Sequence, residues 1–344
     1  MNEKRGRYAR RACIAFSMLI VVATSIRCGS KSAERYIQHT GKALGTYYSI
    51  IVAATMGDTT AQRIIDSTLN SVNAIFSIYD STSTISRFNR TSQYIVHAEF
   101  ARLLAESQRI SLLTNGAYDP TVGAVARLWG FGAAPFEGID TAQLTAAHGY
   151  TGYTLLRVHG DTVFKAHPRV ELTLNAMAKG YASDRVALSL RERGYRAALV
   201  EVGGEIAAYG ESPRGDAWRV GIDAPEKGHM PGEKLISTFT LDSGGVATSG
   251  NYREYLATKS GEWGHTIDPT TGQPVRNKLL SATVVAPTCA AADALATAMM
   301  VLGPNKSMEL VEGIDGIECL LIYENEGRPT QWASAGFRDK AEGK

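Results

Sequence analysis

The chain has 344 residues, of which 36 are basic and 34 acidic, and its pI is near 8.3. The basic excess belongs to residues 1–27, because the remainder keeps 30 basic and 33 acidic side chains and a net charge of −3. A body so close to neutral gives no reason to expect a nucleic-acid partner. Its length of roughly 310 residues suits one large domain or two interlocked lobes.

The N-terminus has the pattern of an export signal. A basic stretch over residues 4–11 precedes an apolar run over 12–26, which matches a signal-peptide core and is short for a membrane span. Cys28 then resembles the lipid-modified cysteine of a bacterial lipoprotein, although Arg27 stands where a small residue is usual. We expect a lipoprotein on the periplasmic side of the inner membrane, with a signal anchor or plain cleavage as the alternative. The predicted division is a signal peptide (1–27), a tether (28–40), one domain (41–335) and a tail (336–344).

Hydrophobic periodicity predicts the elements of the domain in chain order. A strand over 46–54 comes first, followed by a helix over 59–79. Later helices are expected over 99–115, 178–194 and 291–302. Further strands are predicted over 154–158, 162–165, 170–174, 197–202, 217–222, 235–241, 280–286 and 317–323. The strands come in runs too closely spaced for helical crossovers, which favours an α+β fold over a doubly wound parallel sheet.

Two cysteines, Cys289 and Cys319, remain in the body of the chain. A disulfide between them is possible in an oxidising compartment, but two cysteines without a motif are more often buried thiols. No zinc-binding pattern is present in the sequence.

The helix "AADALATAMMVLG" (291–303) carries a carboxylate where a buried apolar face is expected. Asp293 and Thr297 are four residues apart, so their oxygens lie on one face of the helix. A buried carboxylate needs a basic side chain, backbone N–H groups or a metal ion to offset its charge. Two hard oxygens suit Mg²⁺, although an ordinary capping or core hydrogen bond explains most such pairs.

Other candidate positions lie in glycine-rich segments. Lys179 is placed at the start of a helix, where it can contact phosphate or simply face solvent. Gly203-Gly204 ends a predicted strand and permits close approach of a ligand, or only a turn. His265 and Asp268 lie in a loop, where His265 could act as a general base, contact phosphate or hydrogen-bond within the turn. Together these signals indicate phosphate chemistry.

Eight motifs in order resemble the FAD:protein FMN transferase (ApbE) family. They span residues 44–303, and the resemblance covers about residues 40–330. They are "LGTYYSI" (44–50), "STISRFN" (83–89), "GAYDPTVGAVARLWGFG" (116–132), "LNAMAKGYASDR" (174–185), "VEVGGEI" (200–206), "TSGNYREY" (248–255), "GHTIDPTTGQP" (264–274) and "AADALATAMMVLG" (291–303).

The resemblance implies an exported α+β enzyme with largely antiparallel sheets and packed helices, and with its flavin nucleotide site between two halves. Such enzymes use Mg²⁺ to transfer FMN from FAD to a Ser or Thr hydroxyl of a target protein, typically a membrane redox subunit, and release AMP. The implied metal ligands are Asp293, Thr297 and the carbonyl of Ala176. The residues implied to contact the flavin nucleotide are Leu44, Tyr79, Ala117, Tyr118, Asp119, Thr173, Lys179 and Ile267. His265 would lie nearest the chemistry, and either His265 or Asp268 could serve as the base.

Two positions depart from the family pattern. Leu44 replaces the usual Met, a near-isosteric change that should cost little. Thr173 replaces the usual Asp, which keeps a hydroxyl but loses a charged acceptor for adenine or ribose. We expect this change to affect affinity more than reaction type. Two other functions use the same pocket: an FAD pyrophosphatase that yields FMN and AMP, and a flavin-binding protein without catalysis.

Overall fold

This computed structural model describes residues 35–342 apart from 56, 91–93, 132–137, 139, 226–231, 251–254 and 259–260. The predicted signal peptide and Cys28 lie outside the described residues. Within those ranges, no helix combines the length and apolar character needed to cross a bilayer. Cys289 and Cys319 are both free, buried thiols rather than a disulfide.

The chain alternates between strands and helices. The helices are α1 (Thr60–Phe76), α2 (Thr84–Arg90), α3 (Ala98–Leu113), α4 (Gly123–Leu128), α5 (Thr141–His148), α6 (Asn175–Glu192), α7 (Cys289–Glu312) and α8 (Ala335–Glu342). The strands are β1 (Arg35–Ala43), β2 (Thr46–Ala54), β3 (Tyr94–Val96), β4 (Leu156–His159), β5 (Thr162–Lys165), β6 (Ala198–Val202), β7 (Glu205–Tyr209), β8 (Trp218–Asp223), β9 (Leu235–Leu241), β10 (Gly244–Gly250), β11 (Tyr255–Thr258), β12 (Gly261–Gly264), β13 (Ile267–Asp268), β14 (Gln273–Pro274), β15 (Leu279–Ala286), β16 (Glu318–Asn325) and β17 (Arg328–Ala333).

An eight-stranded sheet with the order β1-β2-β6-β7-β10-β15-β16-β17 organises the fold, and neighbouring strands in it are antiparallel. Alternate residues point to opposite faces. Val200 faces a large core formed with α1, α6 and α7, whereas Ala197 and Val246 face a second core with the β8–β9 hairpin and α8. The antiparallel sheets with packed helices confirm the predicted α+β class.

Most predicted elements are present with shifted ends. The strands over 162–165 and 235–241 match their predicted bounds, and α6 begins three residues earlier than predicted. Helix α7 is longer than the predicted 291–302 and is interrupted at Gly303, whose φ is 76°, before Pro304. Helix α3 ends at Leu113, two residues before the positive φ of Asn115.

The predicted strand over 170–174 is wrong. Val170, Leu172 and Leu174 are buried, so the alternation of apolar residues in the sequence does reflect burial. However, the backbone N–H and carbonyl of Leu172 bond to the side chain of Asn89, and the Thr173 N–H donates to the Pro120 carbonyl. This extended segment is therefore held by a side-chain amide and a loop, with an isolated bridge between Val122 and Glu171 in place of a ladder.

Regular elements lie at both ends that the sequence assigns to a tether and a tail. Residues 35–40, within the predicted tether (28–40), belong to β1, which pairs with β2 as an edge strand of the large sheet. Its polar sequence is compatible with an edge strand, where few side chains need be buried. Residues 335–342 form α8, and Phe337 is buried in the second core.

Candidate active site

The centre of the candidate site is the contact between α6 and α7. A Cβ on Gly180 would lie 2.3 Å from the carbonyl oxygen of Cys289, so only glycine permits this approach. Asp184 of α6 accepts the backbone N–H groups of Cys289 and Ala290, each at 2.9 Å, at the N-terminus of α7. The two helices are thus locked together one turn before Asp293.

Asp293 is buried at this contact and faces α6. Its Oδ2 accepts the N–H of Gly180 at 3.2 Å. In an α-helix the carbonyl of residue i lies beside the N–H of residue i+4, so the Ala176 carbonyl lies next to that same N–H. Thr297 is one turn further along α7, and its Oγ1 lies 3.3 Å from the Oγ of Ser249 on β10. Asp293 and the Ala176 carbonyl are therefore close together, and Thr297 lies one turn along the same face of α7.

A lysine and a second buried acid complete this charged group. The Nζ of Lys179 donates to Oε1 of Glu205 at 2.5 Å. Glu205 begins β7 and is only 4% exposed, and its Oε2 is buried without a hydrogen-bond partner among the described residues. Among the described residues, Lys179 is the cation that opposes the charge of both buried carboxylates, Glu205 and Asp293.

The electrostatics of the site follow from the burial of its acids. Burial raises the pKa of Glu205 to about 7, and Lys179 opposes the rise. Burial also raises the pKa of Asp293, again against the effect of Lys179. The Asp184 carboxyl has its pKa raised to about 6 by burial, and the two N–H groups of α7 oppose that rise. Burial is the main cause of all three shifts, and buried acids with raised pKa values mark candidate functional sites.

A divalent cation fits this donor set. Asp293 and Thr297 supply two hard oxygens, the Ala176 carbonyl is a third, and the excess of buried carboxylates favours a positive ion. Among the residues that the structure describes, no group of three or more His, Cys, Asp or Glu side chains is arranged to hold a metal. The donor chemistry is therefore the mixed set of side-chain and backbone oxygens that Mg²⁺ accepts with water or phosphate.

Two tight turns border Lys179. Leu44 and Gly45 join β1 to β2 with positive φ values of 53° and 75°. A Cβ on Gly203 would lie 2.9 Å from Cγ2 of Thr46 and 3.1 Å from Cδ of Lys179. The Gly203-Gly204 turn thus lies against the lysine stem, and Thr46, directly after the β1–β2 turn, packs against Gly203.

The predicted loop at Ala117, Tyr118 and Asp119 is buried and internally bonded. Tyr118 is part of the large core, and its hydroxyl lies 3.1 Å from Ser107 Oγ and 3.7 Å from Met177 Sδ. The Asp119 carboxylate accepts both the N–H and the hydroxyl of Thr121, and also the N–H of Tyr153. These side chains shape the loop, so a ligand would meet its backbone.

Two further predicted residues occupy different positions. Thr173 lies two residues before the first residue of α6, where its Oγ1 accepts the N–H of Asn175 at 3.4 Å. Its contact with the nucleotide stays a prediction. Tyr79, by contrast, is 67% exposed beyond the end of α1, and no described contact joins it to the charged group.

His265 lies two residues before the small β13–β14 hairpin, and Ile267 and Asp268 form its first strand, β13. Ile267 is buried in a cluster with Val125 and Trp129, which places its side chain in a small core rather than on a surface. Oδ1 of Asp268 accepts the N–H of Thr270 at 2.8 Å, so Asp268 has a turn-forming role. His265 is half-buried, and the choice between His265 and Asp268 as the base stays a prediction.

Sequence reasoning missed Glu205 and Asp184. Both lie inside the quoted motifs, but neither had a spacing that marks a metal or catalytic site. The sequence signal for Glu205 is its position two residues before Ala207. Side chains two apart in a strand point to the same face, and Ala207 is buried. A charged residue at an inward position predicts a partner, and here that partner is Lys179.

Comparison with known proteins gives a consistent result. The family model described as "ApbE family" matches residues 44–321. A curated relative from Haemophilus influenzae, named FAD:protein FMN transferase, is 34% identical over 93% of this chain and 96% of its own length. A relative of the same name from Vibrio cholerae is 33% identical over 96% of this chain and 98% of its own. The solved flavin transferase ApbE from Vibrio cholerae superposes with a TM-score of 0.80 at 33% identity, over 90% of this chain and all of that one.

Proposed function

This chain belongs to the ApbE family and is a flavin transferase, and from that premise we propose that it transfers FMN from FAD to a Ser or Thr hydroxyl of a second protein, with Mg²⁺, and releases AMP. The observation that carries the metal-dependent form of this proposal is the charge imbalance at the α6–α7 contact. Glu205 and Asp293 are both buried there near Lys179, the cation that opposes both charges in the part of the chain that the structure describes. A cation and a diphosphate fit such a site together.

The proposed reaction is a phosphoryl-type transfer. The acceptor hydroxyl oxygen forms a bond to the phosphorus of the FMN half, and the bond from that phosphorus to the oxygen bridging to the AMP half breaks. The proton of the hydroxyl passes to His265, and AMP leaves with the bridging oxygen. No electron is gained or lost by the flavin.

The other residues of the site have separate proposed roles. Lys179, held by Glu205, offers its ammonium to the diphosphate, where positive charge stabilises the developing negative charge. Asp293, Thr297 and the Ala176 carbonyl would hold Mg²⁺, which when bound screens the phosphates and stabilises the leaving AMP. The Leu44 turn, the backbone of residues 117–119 and Thr173 are proposed to contact the nucleotide.

The setting of the reaction is also a proposal. The basic and apolar leader and Cys28 support export and a lipid anchor on the periplasmic side of the inner membrane. An enzyme held at that surface would reach acceptors that are themselves membrane proteins, such as a redox subunit. The acceptor site must present its Ser or Thr on an exposed segment, because the flavin has to reach it.

One assay separates this function from its alternatives. Purified protein is incubated with FAD, Mg²⁺ and a Ser- or Thr-containing peptide of a candidate redox subunit, and the peptide is analysed by mass spectrometry. The proposal expects one FMN phosphoester on the peptide, equimolar AMP, and neither product with a chelator or with the Ser/Thr→Ala peptide. Free FMN with an unlabelled peptide would instead indicate a pyrophosphatase, and bound but intact FAD would indicate a binding protein.

A further inference from the structure

The loop after His265 is a closed turn held by its own backbone. The N–H of Gly272 donates to the Asp268 carbonyl at 2.8 Å, and the N–H of Val275 donates to the Thr266 carbonyl at 2.9 Å. Gly272 has a φ of 66°, a conformation that favours glycine. These bonds define the turn but do not fix its place on the rest of the protein.

Two side chains from the α4–α5 segment attach this turn from outside. Nε1 of Trp129, directly after α4, donates to the Gly272 carbonyl at 2.9 Å. Nε2 of His148, the last residue of α5, lies 2.9 Å from the Pro269 carbonyl. A carbonyl only accepts, so His148 donates from Nε2. Both bonds span more than 120 positions in the sequence.

Apolar and aromatic contacts from the same segment surround the turn. Ile267 packs in one buried cluster with Trp129 and Leu144. The ring of Phe131 meets the ring of His265 edge to face, with centroids 6.5 Å apart. A Cβ on Gly272 would lie 3.1 Å from Cδ2 of the His148 ring, so the turn and the imidazole are in close contact.

We propose that Trp129 and His148 are positioning residues that hold the His265 loop in its reactive geometry. They contact the loop backbone rather than a substrate, and they act through His265. The inference rests on the proposed transfer reaction, in which His265 receives the hydroxyl proton. A base displaced by about 1 Å can slow a reaction on the order of a hundredfold, so these two bonds set the rate without contributing to the binding of FAD.

The test uses the full-length protein with Trp129→Phe, His148→Ala and the double variant. Trp129→Phe keeps an aromatic ring and removes only the N–H donor. The matched control is Trp218→Phe, because Trp218 is also buried and its Nε1 also donates to a carbonyl, that of Tyr209 at 3.3 Å, but in the second core. His148→Gln keeps a side-chain N–H donor and serves as the rescue variant.

Two readouts are measured on each protein. The first is amide hydrogen exchange of the peptide covering residues 264–275, which needs no activity. The second is the kcat and KM for FAD in FMN transfer. We expect the double variant to exchange on the order of tenfold faster in that peptide, with kcat lowered about tenfold or more and KM for FAD changed less than twofold. His148→Gln should recover most of the loss, and Trp218→Phe should change neither the exchange rate of residues 264–275 nor kcat.

Unchanged exchange in residues 264–275 of the double variant overturns the inference, whatever the activity. So does an equal loss of kcat in Trp218→Phe, or a loss expressed wholly in KM. If the wild-type protein transfers no FMN while the exchange result is as expected, the proposed function fails and the structural role of Trp129 and His148 stands.

Discussion

The α6–α7 contact and the His265 loop are built in opposite ways. The contact is part of the largest core, where Gly180 packs on the Cys289 backbone and Asp184 binds the start of α7. The loop lies on a two-stranded hairpin and depends on a few side chains, Trp129 and His148 above all. Groups proposed to offset charge thus lie on two packed helices, and the group proposed to move a proton lies on a turn held by a few side chains.

This difference matches the two demands of the reaction. Offsetting the diphosphate charge needs preorganised groups in a site that excludes water, since reorganising them during the reaction would cost free energy. A base must instead meet the acceptor protein, which arrives from outside. The comparison predicts that changes in the helices alter metal binding and stability, whereas changes in the loop alter turnover alone.

Asp293→Asn should have the largest effect on activity. The substitution keeps the size of the side chain and removes the charge that would hold Mg²⁺, so we expect FMN transfer to fall about a thousandfold or more. The folded state should be no less stable, because a buried charge is removed. Transfer rates over a range of Mg²⁺ concentrations, with thermal unfolding as the control, check this result. Wild-type turnover in the variant would contradict the assignment of Asp293.

His265→Ala should have the next largest effect. Loss of a general base lowers rates by about a hundredfold or more, and FAD affinity and stability should remain near wild type because the side chain is half-buried on a loop. Single-turnover transfer and fluorescence titration with FAD measure the two quantities. A loss confined to FAD affinity would contradict the role of His265 in proton transfer and assign it to substrate binding instead.

Asp184→Asn should change the pH dependence of stability. Burial raises the pKa of Asp184 from its ordinary value of 3.8 to about 6 in the folded protein. The folded state therefore binds the proton more tightly, and this stabilisation is present at low pH and lost as pH rises through about 6. We expect the wild type, relative to the variant, to lose about 2 kcal/mol in free energy of unfolding between pH 4 and pH 7. Urea titrations at the two pH values test it, and a parallel loss in both proteins would contradict the shift.

Asp268→Asn should have the smallest effect. The side chain of Asp268 accepts the N–H of Thr270, and an Asn oxygen can accept the same bond. We expect kcat to change less than about threefold, within the range of a lost surface charge. A much larger fall, with the fold intact, would make Asp268 the base in place of His265.

Sequence reasoning recovered the elements whose pattern depends on burial, and it failed where a strand has unusual partners. The strand over 46–54 was predicted at its observed bounds because it lies inside the sheet. Strand β1 was taken for a tether because an edge strand needs few apolar residues. The segment 170–174 alternates like a strand, but Asn89 takes the hydrogen bonds of Leu172.

For the site, sequence alone placed Asp293 and Thr297 on one helix face. It could not show that Gly180 of another helix donates to Asp293, or that Glu205 holds Lys179, because both contacts join distant parts of the chain. Nor could it show that the Asp268 side chain accepts a hydrogen bond from Thr270 within its own turn. Pairings between distant segments depend on the fold, and a single sequence does not contain them.

The most direct test of the metal-dependent account is a crystal soaked with FAD and Mn²⁺, whose anomalous signal locates the ion. The account predicts one ion bound by the Asp293 carboxylate, the Thr297 hydroxyl and the Ala176 carbonyl, at about 2.0–2.3 Å, and in contact with the FAD diphosphate. An ion bound elsewhere, or FAD bound with its diphosphate away from the α6–α7 contact, would contradict it.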